Sequence, residues 1–107
     1  YVADYTGRLH CLNARTGMRY WGHHTRVESW SSTLVADGKV YLPTEKDLWV
    51  FQAGKDKKLL AKIRLPNKMY NSPVAADGVL YLATQRYLFA VRATGSGPAV
   101  RTEPVKR

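Results

Sequence analysis

The chain has 107 residues, enough for one small domain, and at 45% hydrophobic and 11% aromatic it is too apolar to be disordered. Its formal net charge of +9 favours acidic partners, and it contains no apolar run approaching the ~18 residues of a membrane span. Cys11 is the single cysteine, so no disulfide forms within one chain and cysteine usage does not fix the compartment.

In chain order, the segment from Tyr1 to about His24 reads as the second, third and fourth strands of a first unit. Tyr1 falls in what reads as mid-strand, which suggests a piece of a longer or processed protein. Thr33 to Ala36 is a β-prone run closed by Asp37-Gly38, a two-residue hairpin signal in which glycine accepts a positive φ. Lys39 to Leu42 follows as a second strand, Thr44 to Asp47 as a polar loop, and Leu48 to Phe51 as a third strand. Ala53-Gly54-Lys55-Asp56 is another turn. Leu59 to Leu65 completes a fourth strand, whose Lys62 and Arg64 alternate with apolar residues as on a half-exposed edge. A third unit runs from Ser72 to Ala93 with three strands. The segment 94–107 reads as a mobile tail with one weak outer strand at 99–103.

These units are copies. Val35-Ala36-Asp37-Gly38-Lys39-Val40-Tyr41-Leu42 lies over Ala75-Ala76-Asp77-Gly78-Val79-Leu80-Tyr81-Leu82, an offset of 40 from Asp37 to Asp77. Leu9 to Ala14, Leu48 to Ala53 and Leu88 to Ala93 answer one another downstream, the first one residue later in its repeat. Four short antiparallel strands per ~40 residues are the pattern of propeller blades. The expected fold is therefore all-β, about two and a half blades of a β-propeller at 1–24, 31–65 and 72–93. Too few blades are present to close a ring, so apolar blade faces are expected to seek a protein partner or a second copy.

Cys11-Leu12-Asn13-Ala14-Arg15-Thr16-Gly17-Met18-Arg19-Tyr20-Trp21 resembles the tryptophan-docking motif of the pyrroloquinoline-quinone-like (PQQ-like) propeller family. In that motif Ala-x-Asp-x-x-Thr-Gly is followed by three variable residues and Trp. Asn71-Ser72-Pro73-Val74-Ala75-Ala76-Asp77-Gly78 looks like the pattern that opens a blade in the same family. The resemblance spans residues 1 to 93 and implies that Thr16, Gly17 and Trp21 dock neighbouring blades. The second repeat departs from it, with Ala61 in the Trp place, and the third has no Trp after Thr94-Gly95, which predicts weaker contacts there. The resemblance covers two branches. One is a cofactor-free scaffold for other proteins, such as the lipoprotein of the outer-membrane β-barrel assembly machinery. The other is a quinoprotein oxidoreductase, whose cofactor site would then lie outside this chain. It also suggests a periplasmic or extracytoplasmic location.

No catalytic, metal or cofactor constellation emerges. The eight acidic residues include Asp37, Asp56 and Asp77 in apparent turns, and a calcium–PQQ site needs concentrated carboxylates. His23 and His24 are neighbours on a strand and point to opposite faces, so they do not converge on one ion. Cys11 takes a small-residue place in an inner strand. The basic cluster that includes Lys57, Lys58 and Lys62 is either a solvated edge or a surface for an acidic partner. Nucleic acid is not the expected partner. Trp30 and Tyr70 occupy equivalent places before the first strand of their blades and are candidates for an interaction surface. The expected activity is thus a non-enzymatic interaction scaffold without a cofactor.

Overall fold

The computed structural model describes residues 1–94 and 97–104, and these are all-β, with no helix among them. Eleven strands form three antiparallel sheets. The first holds β1 (Val2–Ala3), β2 (Arg8–Leu12) and β3 (Arg19–His24) in sequential order. The second holds β4 (Leu34–Ala36), β5 (Lys39–Pro43), β6 (Asp47–Gln52) and β7 (Leu59–Arg64), also sequential. The third holds β8 (Val74–Ala76), β9 (Val79–Ala83), β10 (Tyr87–Thr94) and β11 (Gly97–Pro104). The sheets do not close into a ring.

Turn chemistry sets these boundaries. Asp37 and Gly38 both take positive φ, 52° and 68°, and Asp77 and Gly78 repeat the pair at 50° and 74°. Two successive left-handed residues make the tight turn whose twist matches the flanking strands. At the next turn the Thr44 hydroxyl accepts from the Asp47 and Lys46 N–H groups, at 3.1 and 3.3 Å. Thr84 repeats this with Tyr87 and Arg86. In the first sheet Asp4 takes that place, its carboxylate accepting from the Arg8 N–H and the Thr6 hydroxyl. Strand β11 is longer than the expected 99–103 and pairs along β10 from Tyr87↔Pro104 to Thr94↔Gly97. The remainder of the expected tail, residues 95, 96 and 105–107, lies outside the described residues.

Alternation along the strands divides the core in two. From β5 and β6, Val40, Leu42, Trp49 and Phe51 face the first sheet and cluster with Leu9, Cys11 and Trp21. Their alternates Leu48 and Val50 face the third sheet and cluster with Leu65, Met69, Leu80 and Leu82. The period of two thus explains why β6 is buried from Asp47 to Phe51 while β7 is largely exposed. The second sheet is covered on both faces, and the outer two on one each.

Candidate functional site

Two seams between sheets and one row of exposed aromatics concentrate the distinctive chemistry. The first seam is closed by Trp21. Strand pairing sets Trp21 opposite Cys11, with a bulge between Cys11 and Leu12. The small thiol leaves room for the indole, and the bulge adds local twist. The Trp21 ring packs 5.3 Å from Phe51, and its N–H donates to the Gly54 carbonyl at 2.9 Å. The Cys11 thiol approaches the same carbonyl at 3.5 Å, while the Gly54 N–H donates to the Tyr1 hydroxyl at 2.6 Å. Thr16 and Gly17 stay on the exposed turn before β3. The Thr16 and Arg15 N–H groups donate to the Asn13 side-chain oxygen, the Met18 N–H donates to the Thr16 hydroxyl, and Gly17 has φ 75°. The structure therefore brings Trp21 to the neighbouring sheet and leaves Thr16 and Gly17 to shape the turn that aims it.

The lysine cluster is partly drawn into the same seam. Lys57 Nζ donates to the Gly22 carbonyl at 3.1 Å, and Lys62 lies 4.7 Å above the Trp49 ring. Lys55 lies 5.5 Å from the Tyr20 ring centroid. These contacts run from the second sheet to the first at Gly22 and Tyr20, whereas Lys58 stays exposed. His23 packs against Trp49 and Phe51 at 4.8 and 5.1 Å, more covered than a solvated outer-strand histidine. Burial first, then the Lys57 charge, pushes its pKa below the usual imidazole value. His23 Nε2 and Trp49 Nε1 are both buried without a hydrogen-bond partner.

The second seam holds the Tyr41 and Phe89 rings but lacks an indole at the place of Trp21. Pairing sets Ala61 opposite Val50, with a bulge between Val50 and Phe51, which is the geometry of the Cys11–Trp21 pair one repeat on. Where the first seam is filled by an indole, the second holds an apolar cleft of about 1110 Å³ between the sheets. Arg64 stays exposed on the edge strand, as expected, and also places Nε 3.0 Å from the buried Asp47 carboxylate.

The aromatic row lies on the loops. Trp30, between β3 and β4, meets Tyr5 edge-on at 4.8 Å and Tyr70, between β7 and β8, edge-on at 6.2 Å. All three are exposed, at 51%, 54% and 41% for Tyr5, Trp30 and Tyr70. The Trp30 N–H donates to Glu45 at 3.1 Å, and Glu45 lies 3.9 Å from the Lys68 ammonium. The hydrogen bond that the Tyr5 hydroxyl donates to the neighbouring Glu28 carboxylate is the main cause that raises the Tyr5 pKa. The loops beneath are pinned by bonds between repeat-equivalent residues. The Ser31 hydroxyl donates to the Asn71 carbonyl at 2.8 Å, and the Ser32 N–H donates to the Ser72 hydroxyl at 2.9 Å, each across 40 positions. Tyr5 was not singled out from sequence because its repeat counterpart is Glu45; only the fold shows that it extends the row.

Among the described residues no three His, Cys, Asp or Glu side chains converge on a possible metal site, and no helix is long and apolar enough to cross a membrane. No family model matches the chain, and no curated protein matches it.

Proposed function

We propose that the chain is a β-propeller segment acting as a non-enzymatic interaction scaffold for a protein partner. The observation that carries this reading is the row Tyr5–Trp30–Tyr70, exposed yet seated on loops held by backbone and hydroxyl bonds. Rigid amphipathic rings supply contact area at little entropic cost, and Trp and Tyr are favoured at interface hot spots. Three sheets contribute residues or backing to this rim, so the stack acts as a ruler for a partner segment that presents apolar or aromatic side chains. The other chemically versatile groups support the same reading by being engaged structurally: Cys11 and Lys57 bond across the first seam, and Arg64 pairs with Asp47.

Selection of a random peptide library on the 107-residue chain tests the proposal. Selected peptides should lose at least about tenfold in affinity for Trp30→Ala/Tyr70→Ala, the scale of a hot-spot aromatic, and little for Lys57→Glu/Lys58→Glu/Lys62→Glu. Binding that ignores the aromatic pair and collapses in the lysine variant would overturn it in favour of an acidic ligand.

A further inference from the structure

The two seams differ in what fills them. In the first, Trp21 and Phe51 lie ring to ring between the sheets. One repeat on, their places are taken by Ala61 and Val91, and both line the cleft of about 1110 Å³. The substitution is a clean one, because the strand pairing and the bulge beside it are the same in both sheets. The backbones have not collapsed to close the gap: Leu60 and Ile63 on β7 remain 42% and 44% exposed. The floor is apolar, from Leu48, Val50, Leu80 and the Phe89 ring. Of the charges at the margin, Lys39 pairs with Asp37 and Arg64 with Asp47, while Asp77 makes no ion pair among the described residues.

We infer that the seam between the second and third sheets is a binding slot for an uncharged, planar aromatic molecule of two or more rings. The equivalent slot in the first seam shows which shape fits between two such sheets, because a flat indole occupies it. The volume of about 1110 Å³ lies just above the range of ordinary ligand pockets, roughly 300–1,000 Å³, and exceeds a single indole. The apolar floor gives no partner to a net charge, and the Asp77 carboxylate at the margin disfavours an anion. This slot is separate from the aromatic row and does not depend on the scaffold reading.

Titration of the whole chain with the uncharged fluorophore N-phenyl-1-naphthylamine tests the inference. Saturable binding of one molecule per chain is expected. Ala61→Leu should weaken it, and Ala61→Trp should weaken it at least tenfold, because the new indole fills the slot. The graded leucine variant keeps the test decisive if the tryptophan variant fails to fold. Equal binding by all three proteins, or uptake without saturation, overturns the slot. Decanol, apolar but not planar, should displace the fluorophore at least tenfold less well than 2-phenylindole; the reverse order overturns the planar class.

Discussion

At the scale of single residues, repeat-equivalent positions reach one geometry by different chemistry. Thr44 and Thr84 close their turns with neutral hydroxyls, whereas Asp4 closes its turn with a carboxylate. The hydrogen bond from Thr6, then that from the Arg8 N–H, lowers the Asp4 pKa from 3.8 to about 2. A carboxyl with a depressed folded pKa binds its proton more readily in the unfolded chain. Its stabilisation is therefore complete above pH ~4 and is lost as the pH falls toward 2. The melting-temperature difference between wild type and Asp4→Asn should shrink between pH 4 and pH 2; a constant difference would show that the charge plays no part. At this scale the sequence was partly legible. Asp37-Gly38 and Asp77-Gly78 announce their turns because few residues tolerate successive positive φ values. The Asp47–Arg64 pair did not announce itself, because cross-strand partners depend on a register that a bulge shifts.

Strands and sheets obey alternation closely enough that most of their boundaries are visible in the chain. Leu48 to Phe51 reads as a third strand, and β6 is there and buried on both faces. The sequence also marks Ala61 in the place of Trp21, which predicts a weaker second contact, and the cleft lies at that place. Hidden from the sequence is the acceptor of the indole N–H, since a main-chain carbonyl at Gly54 carries no side-chain signature. Trp21 is buried at 7% exposure, so its removal leaves a cavity and takes from the Gly54 carbonyl its nearer donor. Trp21→Ala should cost about 3–5 kcal/mol in urea denaturation, and Trp21→Phe distinctly less. A loss below about 1 kcal/mol for the alanine variant would mean that the first seam does not depend on the indole.

For the whole molecule, the decisive quantity is the apolar surface left at its ends. Leu34 and Tyr41 are half-buried beneath the third sheet. Their repeat counterparts Val74 and Tyr81 are 57% and 37% exposed. Contiguous apolar faces of this kind drive association. Light scattering should show a mass that rises with concentration, and Val74→Lys/Tyr81→Lys should lower it. A monomer at all concentrations would overturn self-association through this face. Stacking of three repeats was legible because the offset of 40, with a one-residue shift at Leu9 to Ala14, runs along the chain. How the sheets meet was not, because that depends on faces rather than on spacing.

The Gly54 carbonyl has a consequence for how such chains change over time. The hydrogen bond that Trp21 makes across the first seam is written on one side: the donor side chain belongs to the earlier unit, and the acceptor is an atom every residue possesses. For this one bond, a following unit supplies the acceptor whatever its own turn sequence. Duplication of a unit therefore carries the bond along without a matched mutation downstream, and the residue it packs on, Phe51 here with Val91 in its place one repeat on, is left to grade how tightly a junction seals.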